Sequence, residues 1–172
     1  MAKEGDDVLE TTVTGSVDEN TVGVYSIVYS ATNSDGYDGS ATQTVFVYDP
    51  SITTDFSGTY PSGITRTEGD GTNPRNYVGE VNITLVQPGI FYVDCLLGGT
   101  YSLFYGYGLA YAMTGYISVE ADNSLHHLSS FVQGWGDGLE GFQNGLYNGV
   151  TGIPYWESIY ANGNIYAITL TN

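Results

Sequence analysis

The sequence predicts an all-β protein, and three features support this prediction. Apolar and polar residues alternate with a period of two in several short runs, such as residues 78–87, which is the pattern of a half-buried strand. Turn sequences rich in Gly, Asn and Asp separate these runs, for example at residues 33–36 and 162–163. The third feature is residues 90–116, which place eight tyrosines and phenylalanines among glycines. Aromatic residues favour pleated surfaces and glycine disfavours helix, so this stretch is predicted to form the central strands and turns.

Composition restricts the class of protein. The chain has 172 residues, of which 41% are hydrophobic, enough for a buried core in one large or two small domains. Nineteen acids against three bases give a formal net charge of -16. Such a surface repels phosphate groups, so neither nucleic acid nor an anionic membrane surface is an expected partner.

No apolar run reaches the roughly 20 residues of a membrane-spanning helix. Residues 1–4 are not a secretory leader, so any export signal is expected to have been removed or never to have existed.

Residues 10–48 predict an antiparallel hairpin. Tyr25, Ile27 and Tyr29 share one face of a strand at residues 23–30, a tight turn follows, and a return strand runs over residues 41–48. The G-x-Y-x-I-x-Y strand, the A-T-N-S-D-G turn and the closing Thr/Val strand resemble the C-terminal part of a bacterial immunoglobulin-like (Ig-like) module of exported surface proteins. The resemblance implies a tyrosine corner at Tyr25. Because the first strands of a full sandwich are missing, we expect a truncated Ig-like domain at residues 1–49.

A second domain is expected at residues 50–172, because Pro50 cannot continue a strand ladder. About eight short strands joined by sequential turns predict an antiparallel β-barrel or sandwich, with a lipocalin-like barrel as an alternative. The D-F-S-G-T-Y opening, Arg66, the Gly98-Gly99-x-Tyr101 turn and the I-Y-A-I-T-L-T-N ending are similar to C-terminal domains that follow Ig-like modules in exported lipoproteins of gut Bacteroidetes. The resemblance implies a cell-surface (outer-membrane lipoprotein) or periplasmic location, a lipid anchor in the full-length protein, and glycan-related work. It supplies no catalytic residue.

The sequence offers no strong catalytic or metal-binding pattern. The carboxylates of the second domain show no spacing that places a glycosidase pair across a sugar. His126 and His127 are adjacent in a predicted strand, so their side chains point to opposite faces and cannot bind one metal together. Cys95 lies in an apolar run and is expected to be a small buried hydrophobe. We therefore expect no enzymatic activity, no cofactor and no metal site.

The only bases of the second domain are Arg66 and Arg75. A rare cation in an acidic domain usually pairs with a carboxylate, and this is the favoured interpretation of both residues. The alternative is that one of them holds an acidic or hydroxyl group of a ligand.

The aromatic residues are the most informative feature for function. Tyr occurs 16 times, and the two tryptophans lie in or beside glycine-rich loops. Sugars present flat C–H faces and hydroxyl edges, which suit aromatic rings with polar neighbours, and such rings also suit protein interfaces. The predicted contact face consists of stacking rings and one polar clamp: Trp135, Trp156, Tyr105, Tyr107 and Asp137. Packing in the core or at its rim is the alternative for the two tyrosines.

These observations favour a non-enzymatic exported protein that binds a glycan or another surface component. Two alternatives remain open. The first is a structural or assembly module whose aromatic surface contacts a partner protein. The second is a glycoside hydrolase with a carboxylate pair.

Overall fold

The computed structural model describes all 172 residues and divides into two compact units, Met1–Tyr48 and Asp49–Asn172. Both units are built from antiparallel strands, so the predicted all-β class is confirmed. None of the helical segments has the length and apolar character needed to cross a bilayer.

The first unit contains two small sheets. Strands β1 (Ala2–Glu4) and β2 (Asp7–Leu9) form one, and β3 (Thr12–Thr14), β4 (Gly23–Thr32) and β5 (Asp38–Val47) form the other in the order β3-β4-β5. The predicted hairpin is β4–β5. The Tyr25 hydroxyl donates to the Thr21 carbonyl at 2.8 Å, which is the tyrosine-corner hydrogen bond that the Ig-like resemblance implies.

The second unit is one eight-stranded antiparallel sheet in the order β10-β9-β8-β7-β6-β13-β12-β11. Its outermost strands approach each other through a bridge between Ser124 and Leu146 and a hydrogen bond of 2.8 Å from the Tyr147 amide to the Asn123 carbonyl. The sheet is therefore a nearly closed barrel. Its strands are β6 (Gly58–Thr67), β7 (Arg75–Gln87), β8 (Ile90–Val93), β9 (Thr114–Val119), β10 (Leu125–Phe131), β11 (Gly141–Asn148), β12 (Ile153–Tyr160) and β13 (Asn164–Leu170).

The segment after β8, residues 95–99, is buried against the inner face of this barrel. The Leu96 carbonyl accepts hydrogen bonds from the Trp156 indole at 3.0 Å and from the Ser158 hydroxyl at 2.7 Å. The Gly98 carbonyl accepts one from the Ser62 hydroxyl at 2.6 Å. These three side chains come from β12 and β6, so the barrel wall satisfies the backbone of a non-strand segment inside it.

Residues 90–116 contribute strands to the sheet, as predicted, and also contain two short helical segments that were not predicted. Thr100–Phe104 is a π-helical turn and Leu109–Tyr111 is a 3-10 turn. Gly98 and Gly99 have φ angles of 66° and 89°, which reverse the chain before the π-helical turn. The buried Thr100 hydroxyl then donates to the Leu97 carbonyl at 2.8 Å. These tertiary contacts override the strand preference of the aromatic residues.

The seam between β10 and β11 contains a half-buried histidine. The His127 ring stacks on Phe142 of β11 with ring centres 6.1 Å apart, and its Nε2 is buried without a hydrogen-bond partner. Burial lowers the pKa of His127 from its ordinary value of 6.5, although a hydrogen bond with the Ser129 backbone acts in the opposite direction. The neighbouring His126 is exposed and contacts the Ser124 hydroxyl at 3.1 Å.

We predict that the second unit loses stability as the pH falls below 6.5. In this range the unfolded chain binds a proton at His127 that the folded chain binds only at lower pH, so the free energy of unfolding decreases with a slope of at most about 1.4 kcal/mol per pH unit. Urea unfolding followed by tryptophan fluorescence reports this unit, because Trp135 and Trp156 both belong to it.

The matched pair of variants is His127→Gln and His126→Gln. We expect His127→Gln to flatten the pH dependence between pH 7.5 and 5.5, and His126→Gln to leave it close to that of the wild type. A slope that His127→Gln does not change would contradict this account of the seam.

Candidate ligand-binding site

Five aromatic side chains lie close together on two segments of the chain. The first segment follows the buried residues 95–99, and the second is the β10–β11 loop. We call these five rings the aromatic rim. Trp135 meets Tyr101 and Tyr111 edge to face, with ring centres 4.8 Å and 4.9 Å apart. Tyr101 lies within 27° of parallel to Tyr105 and Tyr107, at 5.8 Å and 6.2 Å. The members of the rim are Tyr101, Tyr105, Tyr107, Tyr111 and Trp135.

The rim remains open to solvent although its rings contact one another. Trp135, Tyr105 and Tyr107 are 41%, 44% and 55% exposed, while Tyr101 and Tyr111 are half-buried. The structure therefore brings three of the five predicted contact residues together on one accessible surface. Tyr101 and Tyr111 were not among the predicted residues.

Backbone hydrogen bonds fix the two segments that carry the rings. The Tyr107 amide donates to the Tyr101 carbonyl at 3.1 Å, which folds the first segment back on itself. The Gly134 amide donates to the Ala110 carbonyl at 2.7 Å, which joins the β10–β11 loop to the 3-10 turn. Trp135 is thereby held against Tyr111.

Phenol pairs anchor the rim to the barrel core. The hydroxyls of Tyr101 and the fully buried Tyr166 are 2.7 Å apart, and the Tyr105 hydroxyl donates to that of the buried Tyr77 at 3.1 Å. Burial is the main cause, and the hydrogen bond with Tyr101 the second, of a Tyr166 pKa far above its ordinary value. This phenol is therefore neutral at physiological pH.

Asp137 supplies a carboxylate beside the rim. It accepts the hydroxyl of the buried Tyr160 with both oxygens, at 3.0 Å and 3.3 Å, and the Tyr160 ring lies 6.0 Å from that of Trp135. Burial and this hydrogen bond raise the pKa of Tyr160. The structure thus places Asp137 on the same side as Trp135, as the predicted contact face requires.

Trp156 does not belong to the rim, and its assignment to an exposed contact face is corrected. Its side chain is completely buried, and its indole N–H donates to the Leu96 carbonyl. The physical reason is its register in β12, where alternate residues from Pro154 to Tyr160 face the interior. Proximity to a glycine-rich loop did not reveal this register.

The two arginines of the unit face each other across strands. Arg66 at the end of β6 pairs in register with Arg75 at the start of β7. The alternation places both on the same face of the sheet as Ile64 and Tyr77, which lie two pairs further along and are buried. Arg66 is partly buried and Arg75 is exposed.

Arg66 does not form the expected ion pair with a carboxylate. Its guanidinium carbon lies 6.0 Å from the centre of the Tyr166 ring, and its Nε is buried without a hydrogen-bond partner. Burial acts to lower the pKa of Arg66, but the phenols of Tyr166, Tyr77 and Tyr101 act in the opposite direction and leave it raised. Arg66 is therefore charged and surrounded by tyrosines.

Several other ionisable groups have structural partners. The Asp94 carboxylate accepts the Asn82 amide at 2.8 Å, and burial raises its pKa. Glu157 accepts three side-chain donors, and Glu140 accepts two amides of the β12–β13 turn. Cys95 is buried, and burial raises its thiol pKa. No three His, Cys, Asp or Glu residues are grouped in a way that could hold a metal ion.

A cleft of about 650 Å³ lies in the first unit, between β1–β2 and the β4–β5 hairpin. Its two rings, Tyr29 and Tyr37, come from that same hairpin, and Tyr29 already donates to Gln43 at 3.0 Å. This cleft contains no cluster of packed rings comparable to the rim. The rim is therefore the better candidate site.

Comparisons with known proteins agree with the two-unit architecture. Residues 1–47 match the family model of the bacterial surface protein Ig-like domain, and residues 49–172 match a family model described as a C-terminal domain. The crystal structure of the lipoprotein BT2262 from Bacteroides thetaiotaomicron is 36% identical, with a TM-score of 0.64 over 94% of this chain and 81% of that chain. No curated protein matches.

These matches define an exported, surface-associated class of protein, built from an Ig-like domain and a second β domain. The chain belongs to the family of this Bacteroides lipoprotein.

The different environments of the two tryptophans lead to a direct prediction. Trp156→Phe leaves Trp135 as the single indole, and Trp135→Phe leaves Trp156. We expect acrylamide to quench the first variant several times more strongly than the second, because Trp135 is exposed and Trp156 is enclosed by the barrel. Acrylamide is neutral, so the negative charge of the protein does not repel it. Equal quenching of the two variants would show that the rim is closed.

Proposed function

We propose that the protein is a non-enzymatic glycan-binding protein of the bacterial surface, anchored as an outer-membrane lipoprotein, and that the aromatic rim is its sugar-binding surface. The observation that carries the proposal is the set of three rings, Trp135, Tyr105 and Tyr107, that stay about half exposed while neighbouring rings and backbone hydrogen bonds fix them.

Fixed, exposed rings suit a sugar for two reasons. A pyranose presents a flat C–H face, which stacks on an aromatic ring without a charged partner. Rings that are already immobile lose little side-chain entropy when a ligand binds. Asp137, which is bonded to the Tyr160 hydroxyl, adds a hydrogen-bond acceptor for a sugar hydroxyl beside the rim.

The surface-protein family supports the same proposal. The Ig-like domain matches a bacterial surface model, and the similar structure is a lipoprotein. A protein at the cell surface meets polysaccharides directly, so a sugar-binding face is useful in that location.

Apolar side chains on the same segments favour a second candidate, a module that contacts a partner protein. Leu109 is 82% exposed, and Leu103, Phe104 and Phe131 are each about half exposed. Exposed apolar patches mark protein interfaces. This candidate relies on these four apolar side chains, whereas sugar binding relies on the rings of the aromatic rim.

A glycan array followed by calorimetry on the positive sugars tests the proposal. Trp135→Ala and Tyr107→Ala are expected to weaken binding roughly five- to tenfold each, because each removes a stacking ring. Leu109→Ala is the matched control, since it shortens an exposed apolar side chain of the same surface and should leave sugar affinity unchanged.

Two outcomes would contradict the proposal. The first is an array on which the wild-type protein binds no sugar. The second is unchanged sugar affinity in Trp135→Ala. Loss of a protein partner in Leu109→Ala with no sugar binding would favour the second candidate instead.

A further inference from the structure

The cations of this acidic protein are concentrated beside the rim. The chain has only three bases, and two of them, Arg66 and Arg75, are directly paired across β6 and β7. Like charges in directly opposite positions of two strands destabilise the pair. An anion that contacts both guanidinium groups would offset this repulsion.

We infer that Arg66 and Arg75 bind an acidic group of the ligand, so that the rim takes a saccharide with a carboxylate or a sulfate ester. This inference rests on the proposed sugar-binding function and specifies its ligand class. Recognition takes the form of charge-assisted hydrogen bonds from the guanidinium groups to the anion.

The environment of Arg66 supports this role. Its Nε lies in the protein interior without an acceptor, and the neighbours that act on its charge are the phenols of Tyr166, Tyr77 and Tyr101. The Arg66 cation has phenols but no carboxylate as partners, so a ligand anion on the guanidinium would supply the counter-charge that the protein lacks there. The planar guanidinium suits a carboxylate or sulfate, which offers two oxygens in one plane.

The arginines and the rim share neighbours. The Tyr166 ring that contacts Arg66 is hydrogen-bonded to Tyr101 of the rim. The Tyr105 hydroxyl donates to Tyr77, which lies two residues after Arg75 on β7 and therefore on the same face of that strand. A sugar stacked on Tyr105 would therefore bring its acidic substituent toward both guanidinium groups.

The net charge narrows the ligand class further. At -16 the protein as a whole repels a polyanion, whereas two local cations attract a single acidic group at short range. We therefore assign the site to a single acidic sugar, such as a terminal one, and not to a densely charged polymer such as a polyuronate.

Titrations by ligand-observed NMR with three probes test the inference: methyl β-D-glucuronide, the 6-sulfate of methyl β-D-glucoside, and neutral methyl β-D-glucoside. We expect one or both acidic probes to bind about tenfold more tightly than the neutral probe, as charge-assisted hydrogen bonds allow. The preferred acidic probe identifies the acidic group. Raising the salt concentration should reduce the difference.

Variants separate a local site from a general charge effect. Arg66→Gln and Arg75→Gln are expected to abolish the preference for acidic probes and to retain binding of the neutral glucoside. Lys3→Gln removes the same charge from the first unit and should keep the preference. Arg66→Lys retains the charge but loses the planar group, so an intermediate preference is expected. If Arg66→Gln unfolds, Arg75→Gln supplies the same test at an exposed position.

The outcomes distinguish the two proposals. Equal affinity for acidic and neutral probes in the wild type would overturn the acidic-ligand inference and leave sugar binding intact. No affinity for any probe or arrayed sugar would remove both. Binding of a short glutamate peptide as tightly as the glucuronide, unaffected by Trp135→Ala, would show an anion site without sugar recognition and would also overturn the inference.

Discussion

The architecture of the second unit depends on satisfying the backbone of residues 95–99 inside a β-barrel. A buried carbonyl without a partner costs free energy, and this segment lies outside the strand ladder that would normally supply one. The barrel wall supplies the donors instead, through Trp156 and Ser158 to the Leu96 carbonyl and through Ser62 to the Gly98 carbonyl. These hydrogen bonds fix the position of residues 95–99 and therefore the place where the chain leaves the barrel interior.

The position of the aromatic rim depends on these buried hydrogen bonds of residues 95–99. The π-helical turn begins immediately after the buried segment, and its rings reach back to the core through the phenols of Tyr166 and Tyr77. The exposed rings are consequently fixed before any ligand arrives. The two tryptophans therefore have different roles. Trp156 holds residues 95–99 inside the barrel, and Trp135 belongs to the exposed rim that these residues position.

The sequence predicted what depends on local pattern and missed what depends on tertiary partners. Alternation and turn residues located the β4–β5 hairpin, and the loop position of Trp135 indicated exposure. The direct pairing of Arg66 with Arg75 was not predicted, because the second strand of this hairpin was expected to begin only at residue 78. The glycine-rich loop beside Trp156 concealed its inward register in β12, and the π-helical turn was not accessible because it depends on the segment inside the barrel.

A comparison of two glycine substitutions in adjacent strands tests the internal segment most directly. A Cβ at Gly79 would overlap the Gly98 carbonyl oxygen, whereas the nearest atom to a Cβ at Gly63 is the Thr169 oxygen at 3.9 Å. We predict that Gly79→Ala lowers the free energy of unfolding of the second unit by about 1–3 kcal/mol or more, and that Gly63→Ala changes it by no more than about 0.5 kcal/mol. Equal stability of the two variants in urea unfolding would contradict the placement of residues 95–99 inside the barrel.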